Sequence, residues 1–108
     1  MQSSQAEITQ QNQQKYLISG AVDFSTVPDL MKQASAFFQS YSAAVQAKIE
    51  VDLSKITSCN SAALALMLQM AKLAHMKNIK LHFKHLPKAL LTIAKAYGVE
   101  SEIREICQ

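Results

Sequence analysis

The stretch Ser58-Cys59-Asn60-Ser61 sets a thiol, an amide and two hydroxyls directly ahead of the run Ala62-Ala63-Leu64-Ala65-Leu66-Met67-Leu68. Small polar residues before an apolar run mark a helix N-terminus, where unpaired backbone N–H groups and the positive end of the helix dipole favour anions and hydrogen-bonding side chains. Ser61 in that position can bond a partner, or carry a phosphate whose charge the helix end favours. Plain capping is its commonest role, and Asn60 or Ser58 can cap equally well. Cys59 there could act as a nucleophile if a base stood beside it, since a helix N-terminus favours the thiolate. No histidine is held near it by spacing, so an unreactive small residue is the better reading.

The three histidines are His75, His82 and His85. His82 and His85 straddle the end of a strand pattern, and the familiar zinc-ligand spacings are absent. Lys77, Lys80, Lys84, Lys88 and Lys95 make the C-terminal half basic, which suits phosphates or an anionic membrane surface. Lysines also guard exposed strand edges, the more economical account of these. No glycine-rich phosphate loop occurs, and no cofactor is expected.

These residues need a scaffold, and the 108-residue chain is long enough for one domain with a single core. With 49% hydrophobic and 18% charged residues and only two glycines and two prolines, it should fold into regular elements with few irregular turns. A net charge of +3 permits nucleic-acid binding without indicating it. Lys72, His75 and Lys77 interrupt the longest apolar segment, so no membrane span is expected. The start MQSSQAEITQQNQQ lacks the basic and apolar regions of a secretory signal. A cytoplasmic location follows, with Cys59 and Cys107 as free thiols in a reducing compartment.

Residues 1–14 form a polar, glutamine-rich segment with Ala6 and Ile8 as candidates for a short first strand. Tyr16 to Val22 reads as a strand, with Gly20 marking a bulge or close approach. Ser25 or Thr26 can cap a helix that has Pro28 and Asp29 in its first turn and ends near Tyr41. Ile49, Val51 and Leu53 alternate with charged residues, as do Ile79, Leu81 and Phe83, predicting strands with one face towards water. Between them lie a short loop and a helix from about Asn60 to Lys77. Leu86, Leu90, Ile93, Ala94 and Tyr97 form a last helical stripe, with Pro87 at its start and Gly98 as left-handed cap. A final turn through Ile103 and Ile106 docks on the rest. The fold class is therefore α/β: a mixed sheet of about four or five strands with helices mainly on one face, and a parallel pair formed by the strand-helix-strand unit of residues 48–84.

Projected at about 100° per residue, the central helix seals the sheet with Ala63, Leu66, Met67, Met70, Leu73 and Ala74. Its other side carries Ser61, Leu64, Ala65, Leu68, Gln69, Lys72, His75 and Met76. Leu64, Ala65 and Leu68 beside a hydroxyl form an apolar patch with a polar rim, the makings of a docking surface. The competing expectation is that the helix of residues 87–97 packs there and hides it.

A strand ending Val51-Asp52-Leu53-Ser54, then Asn60-Ser61-Ala62-Ala63-Leu64-Ala65-Leu66 opening a helix, resembles the STAS domain family of sulfate transporters and anti-sigma-factor antagonists. The likeness covers almost the whole chain. Its closing residues LTIAKAYGVESEI most resemble the STAS subunits of Mla-type phospholipid-transport ABC systems. The resemblance implies that Ser61 is the phosphorylatable or partner-contacting hydroxyl and that its helix supplies the contact surface: Asn60, Ser61, Leu64, Ala65, Leu68 and Lys72. It further implies a non-catalytic subunit that binds the cytosolic ATPase of a lipid transporter and lies peripheral to the inner membrane through that partner. A regulatory protein of the anti-sigma-antagonist type, switched by phosphorylation of Ser61, is the alternative. Asn60 stands where the family usually has Asp, and Ala62-Ala63 where glycines are frequent. Both departures suit constitutive docking better than a phospho-switch.

Overall fold

The period-2 stretches become strands in the computed structural model, which describes residues 6–107; the first five residues of the polar N-terminal segment lie outside the described residues. In chain order the elements are β1 (Glu7–Asn12), β2 (Lys15–Val22), α1 (Val27–Gln39), β3 (Ala47–Cys59), α2 (Ser61–Met76), β4 (Ile79–Lys84), α3 (Lys88–Ala96) and α4 (Glu100–Glu105). The described strands form one mixed sheet in the order β1-β2-β3-β4. β1 and β2 are antiparallel, whereas β3 runs parallel to both β2 and β4.

Alternation decides which face of the sheet is covered. Tyr16, Ile18 and Val22 of β2, Ile49, Val51 and Leu53 of β3 and Ile79, Leu81 and Phe83 of β4 are buried. Their neighbours Lys48, Glu50, Asp52, Lys80, His82 and Lys84 are exposed or half-buried. The buried face joins Leu30, Ala34 and Phe38 of α1, Leu90 and Ala94 of α3 and Ile103 of α4 in one cluster. Each large side chain so buried contributes about 1.5–3 kcal/mol relative to exposure. α2 packs against α1, β4, α3 and α4. The Phe83 N–H donates to the Ile106 carbonyl at 2.8 Å, so the segment after α4 satisfies part of β4's outer edge.

The expected loop after Ser54 is instead strand. β3 continues to Cys59 because Lys55, Ile56, Ser58 and Cys59 pair in parallel with Ser19 to Val22. The register shifts between Leu17 and Ser19 and again between Gly20 and Ala21, and Gly20 sits at φ 93°, conformational freedom that its missing Cβ allows. Capping of α1 also differs from expectation. The Thr26 side chain bonds no helical N–H; its hydroxyl donates to the Ala21 carbonyl and accepts from the Asp23 N–H. Asp23 Oδ1 accepts from the backbone N–H groups of Ser25 and Thr26, taking over the turn that leads into α1. At the end of α3, Gly98 has φ 74°; its N–H donates to Lys95 and that of Val99 to Ala94, closing the helix as a Schellman motif.

Two tyrosines tie α1 to the sheet. The Tyr41 hydroxyl donates to the Gln13 carbonyl at 2.7 Å and lies 2.8 Å from the Tyr16 hydroxyl. A phenol has one proton, and Tyr41's is committed to Gln13, so Tyr16 donates to Tyr41. Burial, helped by Tyr41, pushes the Tyr16 phenol well above its ordinary pKa. Tyr41→Phe would remove the acceptor and leave that hydroxyl unpaired, a loss of about 1–3 kcal/mol. Urea unfolding should show a lower midpoint with an unchanged slope.

Candidate functional site

Pairing of β2 with the far end of β3 brings two connections together. Cys59 pairs with Val22, and the Asn60 N–H donates to the Val22 carbonyl at 3.3 Å. The β2–α1 turn, Asp23-Phe24-Ser25, therefore stands beside the N-terminus of α2. Asn60 is extended and its Oδ1 accepts from the Ala62 N–H at 2.9 Å, which makes it the helix cap. Ser61, half-buried as the first residue of α2, has no hydrogen-bond partner for its hydroxyl among the described residues. Of the residues able to cap, the structure chooses Asn60 and leaves Ser61 available.

The patch is smaller than the sequence suggests. Leu64 is only 5% exposed and belongs to the core cluster, correcting the expectation that it faces outward. The reason is lateral: α2 meets helices as well as the sheet, so it buries Ala62, Ala63, Leu64, Leu66, Met67, Met70 and Ala74, more than half its circumference. Burial within the patch stops at Leu64. Ala65, Leu68 and Lys72 remain exposed, Leu68 to 37%. With Ser61 they occupy positions i, i+4, i+7 and i+11, one straight stripe along the helix. Gln69, His75 and Met76 flank it, all exposed.

Phe24 is a residue that sequence reasoning missed as part of this surface. It is 71% exposed and lies two residues beyond Val22, the residue whose carbonyl holds Asn60. Its signal was available: it falls outside both the β2 alternation and the helical stripe of α1, between polar Asp23 and Ser25. An exposed aromatic on the turn beside this helix suits protein contact, because aromatic side chains bury a large area and are enriched at interfaces.

The other chemical candidates separate in space. Burial raises the pKa of the half-buried Cys59 thiol, the opposite of what a nucleophilic cysteine needs. His75 lies in the last turn of α2, His82 within β4 and His85 just after it, and no group of three metal-ligating side chains forms among the described residues. His85 Nδ1 is 3.1 Å from Asp52 Oδ1, and the same oxygen accepts the Ser54 N–H at 2.8 Å. Desolvation pushes the Asp52 carboxyl upward, but its Ser54 and His85 partners outweigh that and leave it below its usual value. Asp52, which carries part of the family pattern, is thus occupied in bracing the end of β4 against β3.

A family model described as "Mlab, STAS domain" matches residues 8–105. The chain belongs to this STAS domain family. A solved structure of the anti-sigma factor antagonist SpoIIAA in its unphosphorylated form is similar, with a TM-score of 0.61 at 14% identity, covering 89% of this chain and 83% of that one. At that identity the likeness is one of fold, and it agrees with a mixed sheet whose helices lie on one face. A search of curated protein sequences finds no match. STAS domains are in general non-catalytic binding and regulatory modules. No helix among the described residues is long and apolar enough to cross a membrane.

Two measurements test the geometry. Asn60→Ala should lower stability by about 1 kcal/mol, whereas Ser61→Ala should stay within about 0.5 kcal/mol of the parent in denaturant unfolding. A depressed carboxyl stabilises the fold above its unfolded pKa of about 3.9 and loses that contribution as pH falls. Asp52→Asn should therefore be less stable than the parent at neutral pH, and the gap should narrow below about pH 4, read from paired thermal melts.

Proposed function

We propose that this STAS domain is a non-catalytic adaptor that binds the ATPase subunit of an Mla-type phospholipid-transport ABC transporter and supports its active assembly, in the maintenance of outer-membrane lipid asymmetry. The observation that carries this reading is the uncovered stripe Ser61, Ala65, Leu68 and Lys72 on a helix otherwise embedded in its own fold. Family membership directs the choice of partner class. Asn60 holds the start of the stripe, Leu64 supports it from beneath, and Phe24 extends it across the neighbouring turn. The domain would act in the cytoplasm, held at the inner membrane by its partner.

The contact is built for permanence. Asn60 and the two alanines after Ser61 make a stiff, capped and uncharged helix start, so docking there orders little. A second reading has one observation in its favour: the Ser61 hydroxyl has no hydrogen-bond partner among the described residues, and a phosphate on it would lie at a helix N-terminus that favours negative charge. That would make the domain a phospho-switched regulator of the anti-sigma-antagonist type.

Co-purification with the transporter's ATPase subunit distinguishes the two. Ser61→Glu and Leu68→Asp should each weaken recovery at least tenfold, about 1.4 kcal/mol, with circular dichroism unchanged because Leu68 is exposed and a carboxylate in the first turn of a helix is favoured by its dipole. Full recovery with both variants would remove this face from the contact. A phosphorylated Ser61 in cell extracts would favour the switch.

A further inference from the structure

The face of the sheet turned away from the helices carries a basic depression remote from the stripe on α2. It measures about 250 Å³ and is lined by Gln14, Lys15, Lys48, Ile49, Glu50, Lys80 and His82. Three strands contribute. Lys48 and Lys80 are directly opposite in the parallel β3–β4 register, and the next row sets Lys15, Glu50 and His82 side by side across β2, β3 and β4. Adjacent strands lie about 4.8 Å apart, so like charges facing one another in register repel and cost stability. Among the described residues the ion pairs are His85–Asp52 and Arg104–Glu100, so none of the three lysines has a carboxylate within 4.0 Å. Glu50, the one carboxylate in the depression, offsets a single charge of the three.

We infer that this depression is a binding site for a phosphate-class anion. An anion seated over Lys48 and Lys80 would relieve their repulsion, with Lys15 closing on it from β2 and Gln14 and His82 able to donate hydrogen bonds. The size selects a small group: the volume falls below the roughly 300–1,000 Å³ of pockets that take drug-sized ligands, which favours a phosphate or a phosphodiester headgroup over a whole nucleotide. These residues sit at the N-terminal ends of β3 and β4, whereas Ser61 follows the C-terminal end of β3. Anion binding and docking on α2 therefore use separate surfaces.

The test uses the full chain, its Lys48→Gln/Lys80→Gln double variant and a Lys88→Gln/Lys95→Gln control. Inorganic phosphate, titrated against chloride at constant ionic strength, should shift the amide resonances of Lys15, Lys48 and Lys80 along a saturable curve. The double variant should bind at least tenfold more weakly and the control should match the parent. Co-sedimentation with phosphatidylglycerol vesicles, compared with phosphatidylcholine vesicles, reports the headgroup source of the same chemistry. Saturable phosphate binding, or phosphatidylglycerol-dependent sedimentation lost only in the Lys48/Lys80 variant, supports the site. Absence of both, or equal loss in the control, overturns it. Co-purification with the ATPase subunit should be unaffected by the double variant, so failure here leaves the docking face standing.

Discussion

Parallel pairing of β2 with β3 from Glu50 through to Cys59 is the constraint on which the candidate surface depends. Without the residues beyond Ser54 in the sheet, Asn60 would start α2 from a free loop. With them, the Val22 carbonyl fixes the Asn60 N–H, the Asn60 side chain fixes the Ala62 N–H, and Ser61 is presented by backbone that is bonded on both sides. The register shifts and the left-handed Gly20 are the local cost of keeping the two strands in step over that distance.

The second consequence concerns the composition of α2. A helix lying on a sheet at the margin of a layer needs an apolar stripe; one with helices at its sides must be apolar over a much wider arc. α2 meets α1, α3 and α4 as well as β4, so alanines and leucines that look surplus on a two-sided projection are spent on lateral packing. Along the stripe, one hydroxyl, one small side chain, one leucine and one lysine stand in a row.

The domain also separates its two kinds of surface. The stripe on the helical layer carries one cation, Lys72, beside Ser61, Ala65 and Leu68, while the uncovered sheet face collects three lysines at the opposite strand ends. Between them the core is continuous and, the Tyr16 hydroxyl aside, apolar among the described residues. The proposed docking stripe and the proposed anion site therefore share no residue.

Much of this was legible in the chain itself. Alternation at Ile49-Val51-Leu53 and Ile79-Leu81-Phe83 determined strands with one wet face, and hence helices on the other, because a period of two leaves the charged set nowhere else to go. Gly98 and Pro28 marked helix ends through φ restrictions that act locally, and the order of elements with the Asn60-Ser61 motif pointed to the STAS family. Tertiary structure alone decided the rest. Lys55 to Cys59 have no alternation of their own and are strand because β2 lies beside them. Asp23 rather than Ser25 or Thr26 shapes the start of α1 because Thr26 is drawn to the Ala21 carbonyl. Leu64 is buried because lateral helix contacts, which no periodicity encodes, determine how far around a helix the interior extends.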